Sequence, residues 1–141
     1  MGFAKSICVC SCIAAELWAL REGLGLCLEN GTSAVEIELD SSIAISLVSN
    51  NLVLNGDLSG IVDDCRDLLR RLPRFKLSHC FREANFCADV LAKMGSASVE
   101  LDAIFVSPPP PPSVVLQPLA DDVMGLCRPR LCKIGAITSV L

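Results

Sequence analysis

The run His79-Cys80-Phe81-Arg82-Glu83-Ala84-Asn85-Phe86-Cys87-Ala88-Asp89-Val90-Leu91-Ala92 decides how this chain is read. It has the form H-x-x-R-E-x-N-x-x-A-D-x-L-A. Its second half has helical spacing, with Ala84, Cys87, Ala88, Leu91 and Met94 on one side. Arg82, Asn85, Asp89 and Lys93 share the opposite side, at intervals of three and four residues. The pattern predicts a helix from about Glu83 to Met94, stopped by Gly95. Just before it, Phe75, Leu77, His79 and Phe81 alternate with Lys76, Ser78 and Cys80, which predicts a strand.

Two upstream segments each add a carboxylate. Ile13, Leu17, Leu20, Leu24, Cys27 and Leu28 form one apolar helical stripe with Glu16 at its shoulder, and Asn30-Gly31 supplies the stop. Ala34 to Asp40 alternates strictly and predicts a strand that ends on Asp40. Asp40 or Ser41 then caps a short helix through Val48. A further helix follows from Leu58, Ile61, Val62, Cys65, Leu68, Leu69 and Leu72, and Pro73 ends it. Strands alternating with helices predict an α/β domain. Each acid has a plain structural alternative. Asp89 suits a solvated helix face, Asp40 a helix cap, and Glu16 a first-turn acid favoured by the helix dipole.

Composition bounds the class. A hydrophobic content of 52% is ample for a core. A formal charge of −4 gives no overall basic signature, so nucleic-acid binding would need a local patch. There are nine cysteines, no C-x-x-C pair and one His. Cys8, Cys10 and Cys12 alternate, which on a strand puts three thiols on one face, but a fourth metal ligand is missing. The cysteines read as free thiols in an intracellular, reducing compartment. Lys5, the apolar run from Ile7 and Ala14-Ala15 mimic a secretory leader, but the helical pattern runs straight through the supposed cleavage site. No stretch is long and apolar enough to span a membrane.

After Ser96 the character changes. Pro108 to Pro112 is a polyproline run, stiff and extended, expected to be exposed and to act as a spacer or a protein-binding segment. Leu116 to Leu126 predicts one short helix. The expected organisation is one domain over 1–97 and a Pro-rich, partly disordered tail over 98–141.

In order and in flanks, the segments around Glu16, Asp40 and Asp89 resemble the type 1 ribonuclease H domain, in its plant retroelement-derived, reverse-transcriptase-like branch. The resemblance covers residues 2 to 97. It implies a ribonuclease H-like α/β fold built on a five-stranded mixed sheet. It implies that Glu16, Asp40 and Asp89 are three of four catalytic, metal-binding carboxylates. They would hold paired Mg2+ ions for cleavage of the RNA strand of an RNA–DNA hybrid. Asn85 and Arg82 are auxiliary by position, and His79 falls by count near the family's mobile His, although its alternation suggests a core-facing strand residue. The family's first carboxylate is an Asp on the first strand, yet residues 1–15 contain no Asp and no Glu. Residues 1–10 resemble the third strand, so the first two strands are missing from this reading. The expected consequence is weak metal binding and impaired cleavage. A non-catalytic interaction module or retroelement remnant is the alternative. Residues 2–12 are then expected either to pair with 34–40 or to stay loosely attached.

Overall fold

The computed structural model describes residues 2–7, 10–50, 56–82, 84–97, 102–105 and 113–124. Pro108 to Pro112, Cys8 and Glu83 lie outside these, and so does the expectation of an exposed proline run. The elements run β1 (Gly2–Lys5), α1 (Cys12–Glu29), β2 (Val35–Leu39), α2 (Ser42–Ser49), α3 (Ser59–Arg71), β3 (Phe75–His79), α4 (Phe86–Ala97), β4 (Asp102–Phe105) and α5 (Ser113–Val123). This mixed α/β architecture is compatible with the fold that the resemblance implies.

Helix α1 starts where Ser11 takes an extended conformation and its Oγ accepts the Ala14 N–H at 3.2 Å. It ends in a Schellman arrangement. Gly31 sits at φ 64, its N–H donates to the Leu28 carbonyl at 3.0 Å, and the Thr32 N–H donates to the Cys27 carbonyl at 2.9 Å. The expected stop at Asn30-Gly31 is therefore formed. Ala14, Leu17, Leu20 and Leu24 are buried along one face. They pack on α3, whose Ile61, Val62, Cys65 and Leu69 recur at helical spacing. Ile37 and Leu39 of β2, with Ala44 and Val48 of α2, close this core.

Strands β2 and β3 pair in parallel, from Val35 opposite Phe75 to Leu39 opposite His79. A parallel pair needs a crossover, and α2 with α3 provides it. The Cys80 N–H donates to the Leu39 carbonyl at 2.9 Å, carrying the pairing one step past the strand. Arg66, buried on α3, holds the crossover closed. Its Nη2 donates to the carbonyls of Leu47 and Asn50, which the end of α2 leaves without helical partners.

The N-terminal strand departs from both expected outcomes. Among the described residues of 2–12, Gly2–Lys5 forms the strand, and it pairs antiparallel with β4, from Gly2 opposite Phe105 to Lys5 opposite Asp102. Residues 102–105 belong to the stretch read as tail, so local pattern did not reveal the partner. Among the described residues there are two two-stranded sheets rather than one of five strands. The expected alternation of three cysteines on a strand face also fails, because Cys12 already begins α1.

Gly95 does not stop α4, which continues to Ala97. Its role is close approach. A Cβ built there would lie 2.5 Å from the Lys5 carbonyl oxygen, so α4 crosses β1 at a point where only glycine fits. Helix α5 packs against α4, with Val115 buried.

Candidate acid centre

The end of the β2–β3 pair gathers the three acids. Asp40 directly follows β2. Ser41, not Asp40, caps α2, its Oγ accepting the Ala44 N–H at 3.2 Å. That leaves the Asp40 carboxylate to face α1 and α4. Glu16 lies one turn inside α1 rather than in its first turn, and is half-buried. The Glu16 and Asp40 carboxyls are close enough for each to feel the other's charge. Burial pushes the Glu16 carboxyl above the ordinary glutamate range, and the Asp40 charge pushes the same way. The Arg82 guanidinium opposes them.

Asp89 reaches the same place from the first turn of α4, where the helix dipole favours an acid. Lys93 Nζ lies 2.7 Å from its Oδ2, one turn along the helix, and Arg82 Nη2 lies 3.1 Å from its Oδ1. The hydrogen bond from Lys93 leads, with Arg82 assisting, in holding the Asp89 carboxyl below the ordinary aspartate range. Arg82 Nε is 3.8 Å from Asp40 Oδ2, an ion pair without a direct hydrogen bond. The side chains of Asp40 and Asp89 are only 19% and 17% exposed, whereas Arg82 and Lys93 are 71% and 70% exposed. Both cations therefore approach the shielded acids from the solvent side.

The result is a chain, Glu16 to Asp40 to Arg82 to Asp89 to Lys93. The structure brings the three expected acids together through a guanidinium, not around one open shell. Among the described residues no group of three or more His, Cys, Asp or Glu side chains is spaced to hold a metal ion. The donors are carboxylate oxygens, which suit a hard divalent cation. Their spacing does not form a shell for one, and Arg82 stands between two of them.

The auxiliary residues fall differently. Asn85 works through its backbone. Its N–H donates to the Phe81 and Arg82 carbonyls at 3.2 and 3.1 Å, and its own carbonyl accepts the Asp89 N–H at 3.0 Å. This turn sets the angle at which α4 leaves β3. His79 is on the strand, as its alternation suggests, but it is exposed rather than core-facing. Its ring meets Phe81 edge-on, with centroids 5.6 Å apart at 87°. Cys80 was passed over by the motif reading. It is buried beside the acids, and burial first, then Glu38 and Asp40, push its thiol up. Its position just past a short strand that ends at the site was the available signal.

The reverse transcriptase-like family matches residues 4–95, which include all three acids. The chain therefore belongs to that family, and its domain is ribonuclease H-like and retroelement-derived. Among curated proteins, an Arabidopsis thaliana protein named as a ribonuclease H protein is 31% identical over 133 residues. That alignment covers 94% of this chain and 21% of the relative, so the chain spans about a fifth of the protein it matches. No solved structure matches. The family is generally dependent on divalent metal and binds nucleic acid. Among the described residues no helix is long and apolar enough to cross a membrane.

Proposed function

We propose that this chain is a ribonuclease H-type, nucleic-acid-binding domain whose ligand class is the RNA–DNA hybrid, with Glu16, Asp40 and Asp89 facing the phosphodiester. The linkage of the three acids through Arg82 at the end of the β2–β3 pair carries the reading. Magnesium held by these three residues would supply a Lewis acid that activates water and stabilises the leaving oxygen. The chain's own groups set how well such a site works. Residues 1–15 contribute no carboxylate, so less negative charge is available to offset repulsion between two divalent ions. Arg82 and Lys93 already satisfy Asp89 and compete with any added cation. Cleavage by this chain alone is therefore weak.

A second reading is favoured by the same pairing of Asp89 with two cations. It is a domain that binds hybrid, or a protein partner through Pro108 to Pro112, without cutting. The nine cysteines without a C-x-x-C pair extend the proposal to an intracellular reducing compartment. Incubation of the purified chain with a labelled hybrid and Mg2+ or Mn2+ separates the readings. Hybrid binding with slow, Asp89-dependent cleavage supports the first, and binding without cleavage supports the second. Fast cleavage abolished by Asp89→Asn overturns the claim of impairment. Absence of hybrid binding overturns the first and leaves only the protein-binding form of the second.

A further inference from the structure

The chain is acidic overall, yet positive charge collects at one corner. Arg70 and Arg71 end α3, Arg74 follows Pro73, and β3 opens on Phe75. The three arginines are exposed, and among the described residues their guanidinium groups make no ion pair or hydrogen bond. This separates them from the other arginines among the described residues. Arg21 is held by Asp64 and Glu22, Arg66 by Asp63 and backbone carbonyls, and Arg82 by Asp40 and Asp89. Asp67 lies one turn back on α3 and is exposed, but pairs with neither Arg70 nor Arg71. Lys76, the next cation along β3, is tied to Glu36 across the strand pair.

Helix-end cations are common because they complement the dipole, and that accounts for Arg70 and Arg71 alone. It does not account for Arg74, which lies beyond the helix, or for the exposure of Phe75 at 47% on the same corner. Arg70 and Phe75 together line a hollow with Val48, Ser49, Leu69 and Leu77. An aromatic face beside unpaired guanidinium groups fits a sugar–phosphate backbone, where arginine binds phosphate and the ring packs on sugar or base.

The position also fits. Phe75 and His79 are the two ends of β3, so the patch and the acid centre lie at opposite ends of one strand pair. Four steps at about 3.3 Å each separate them by roughly 13 Å. That is about four steps of a duplex rising roughly 3.4 Å per base pair. A strand gripped at the arginines would thus lie within reach of the acids a few nucleotides away.

We infer that Arg70, Arg71 and Arg74, with Phe75, form a phosphate-backbone grip that positions a nucleic-acid strand along β3 toward Glu16, Asp40 and Asp89. The inference rests on the reading of the domain as nucleic-acid binding. The grip supplies affinity and register, not sequence choice. The test is the salt dependence of hybrid binding by the full chain, measured by fluorescence anisotropy. The variants are Arg70→Gln/Arg71→Gln/Arg74→Gln and the charge-keeping Arg70→Lys/Arg71→Lys/Arg74→Lys. Each lost phosphate contact lowers the slope of log affinity against log salt by about 0.9, so the Gln variant loses roughly two to three from its slope. The Lys variant keeps most of it. If the triple variant loses its helical circular dichroism, the three single Gln substitutions read the same slope, each losing about one.

The wild-type slope retained in the Gln variants overturns the grip while leaving the family reading intact. No hybrid binding by the wild type at low salt overturns the grip and the nucleic-acid-binding reading it rests on. Equal affinity for a poly-glutamate peptide makes the corner a general anion surface and overturns the nucleic-acid assignment. Phe75→Ala gives a second readout. It weakens binding several-fold without changing the slope, because a ring neutralises no phosphate.

Discussion

Arg82 stands between two acids from different elements, with Nη2 3.1 Å from Asp89 Oδ1 and Nε 3.8 Å from Asp40 Oδ2. A single exposed guanidinium thus neutralises the end of β2 and the start of α4 at once. A divalent cation drawn to both carboxylates would have to compete with it.

Removing that competitor has a bounded effect. Exposed ion pairs contribute at most about 1 kcal/mol, which is roughly fivefold in an equilibrium constant. Arg82→Gln is expected to tighten Mn2+ binding by a factor of up to about five at low ionic strength. Isothermal titration of the apo protein measures it. Unchanged or weaker binding would show that Arg82 orients the acids instead of competing for them.

The acids themselves pull stability in opposite directions with pH. Glu16 is harder to ionise in the fold than in the unfolded chain. Its contribution is therefore present below the ordinary glutamate pKa of about 4.3 and is lost as pH rises through its raised value. Asp89 is easier to ionise in the fold. Its contribution is present above the ordinary aspartate pKa of about 3.9 and is lost as pH falls through its lowered value. Glu16→Gln should leave neutral-pH stability equal or higher and remove its share of the decline above about pH 4.3. Asp89→Asn should lower neutral-pH stability. Urea midpoints across a pH series test both. A Glu16→Gln protein less stable than wild type at neutral pH would contradict the crowding of Glu16 against Asp40.

Gly95 tests the unexpected β1–β4 pair. In a helix interior, alanine is favoured over glycine by about 1 kcal/mol. Against that, the new methyl would meet the Lys5 carbonyl at 2.5 Å. The close atom is backbone and cannot swing aside, so overpacking of about 1–3 kcal/mol should prevail. Gly95→Ala is expected to lower stability and to speed amide exchange in 3–5 and 103–105, with 35–39 unaffected. A stabilised variant would mean that α4 does not cross β1 so closely.

Cysteine reactivity should divide by environment. Burial, with Asp64 nearby, pushes the Cys65 thiol up to about 11, and its Sγ donates to the Leu17 carbonyl at 3.4 Å. Almost none of it is thiolate at neutral pH, and it is fully enclosed. Iodoacetamide at pH 7.5 should modify the exposed Cys10 and Cys12 within the time that Cys65 stays untouched, as mass spectrometry of peptides reads. Labelling of Cys65 at the rate of Cys10 would mean that α1 and α3 separate readily.

Most of the local structure was written in the chain. The stripe from Ile61 to Leu69, the alternation of Val35 to Leu39, the Asn30-Gly31 stop and the break at Pro73 depend on neighbours within one or two turns. Such neighbours act through backbone geometry and side-chain period, so residue order alone determines them. The Glu16, Asp40 and Asp89 segments stood out only through the family resemblance, since by spacing alone each acid also suits a cap, a first helical turn or a solvated face.

Only the tertiary structure decided what those elements meet. Gly95 looked like a helix stop, since a local reading cannot show that Lys5 of a distant strand passes beside it. The partner of β1 came from 102–105, far along the chain, because strand pairing depends on shape and burial at long range. Arg82 reads as one more cation on a helix face until β2 and α4 converge on it. Arg70, Arg71 and Arg74 read as an ordinary helix end until every other arginine among the described residues proves to be paired. Sequence sets which charges exist and how each segment folds, whereas packing decides which charges are cancelled and which are left to bind something else.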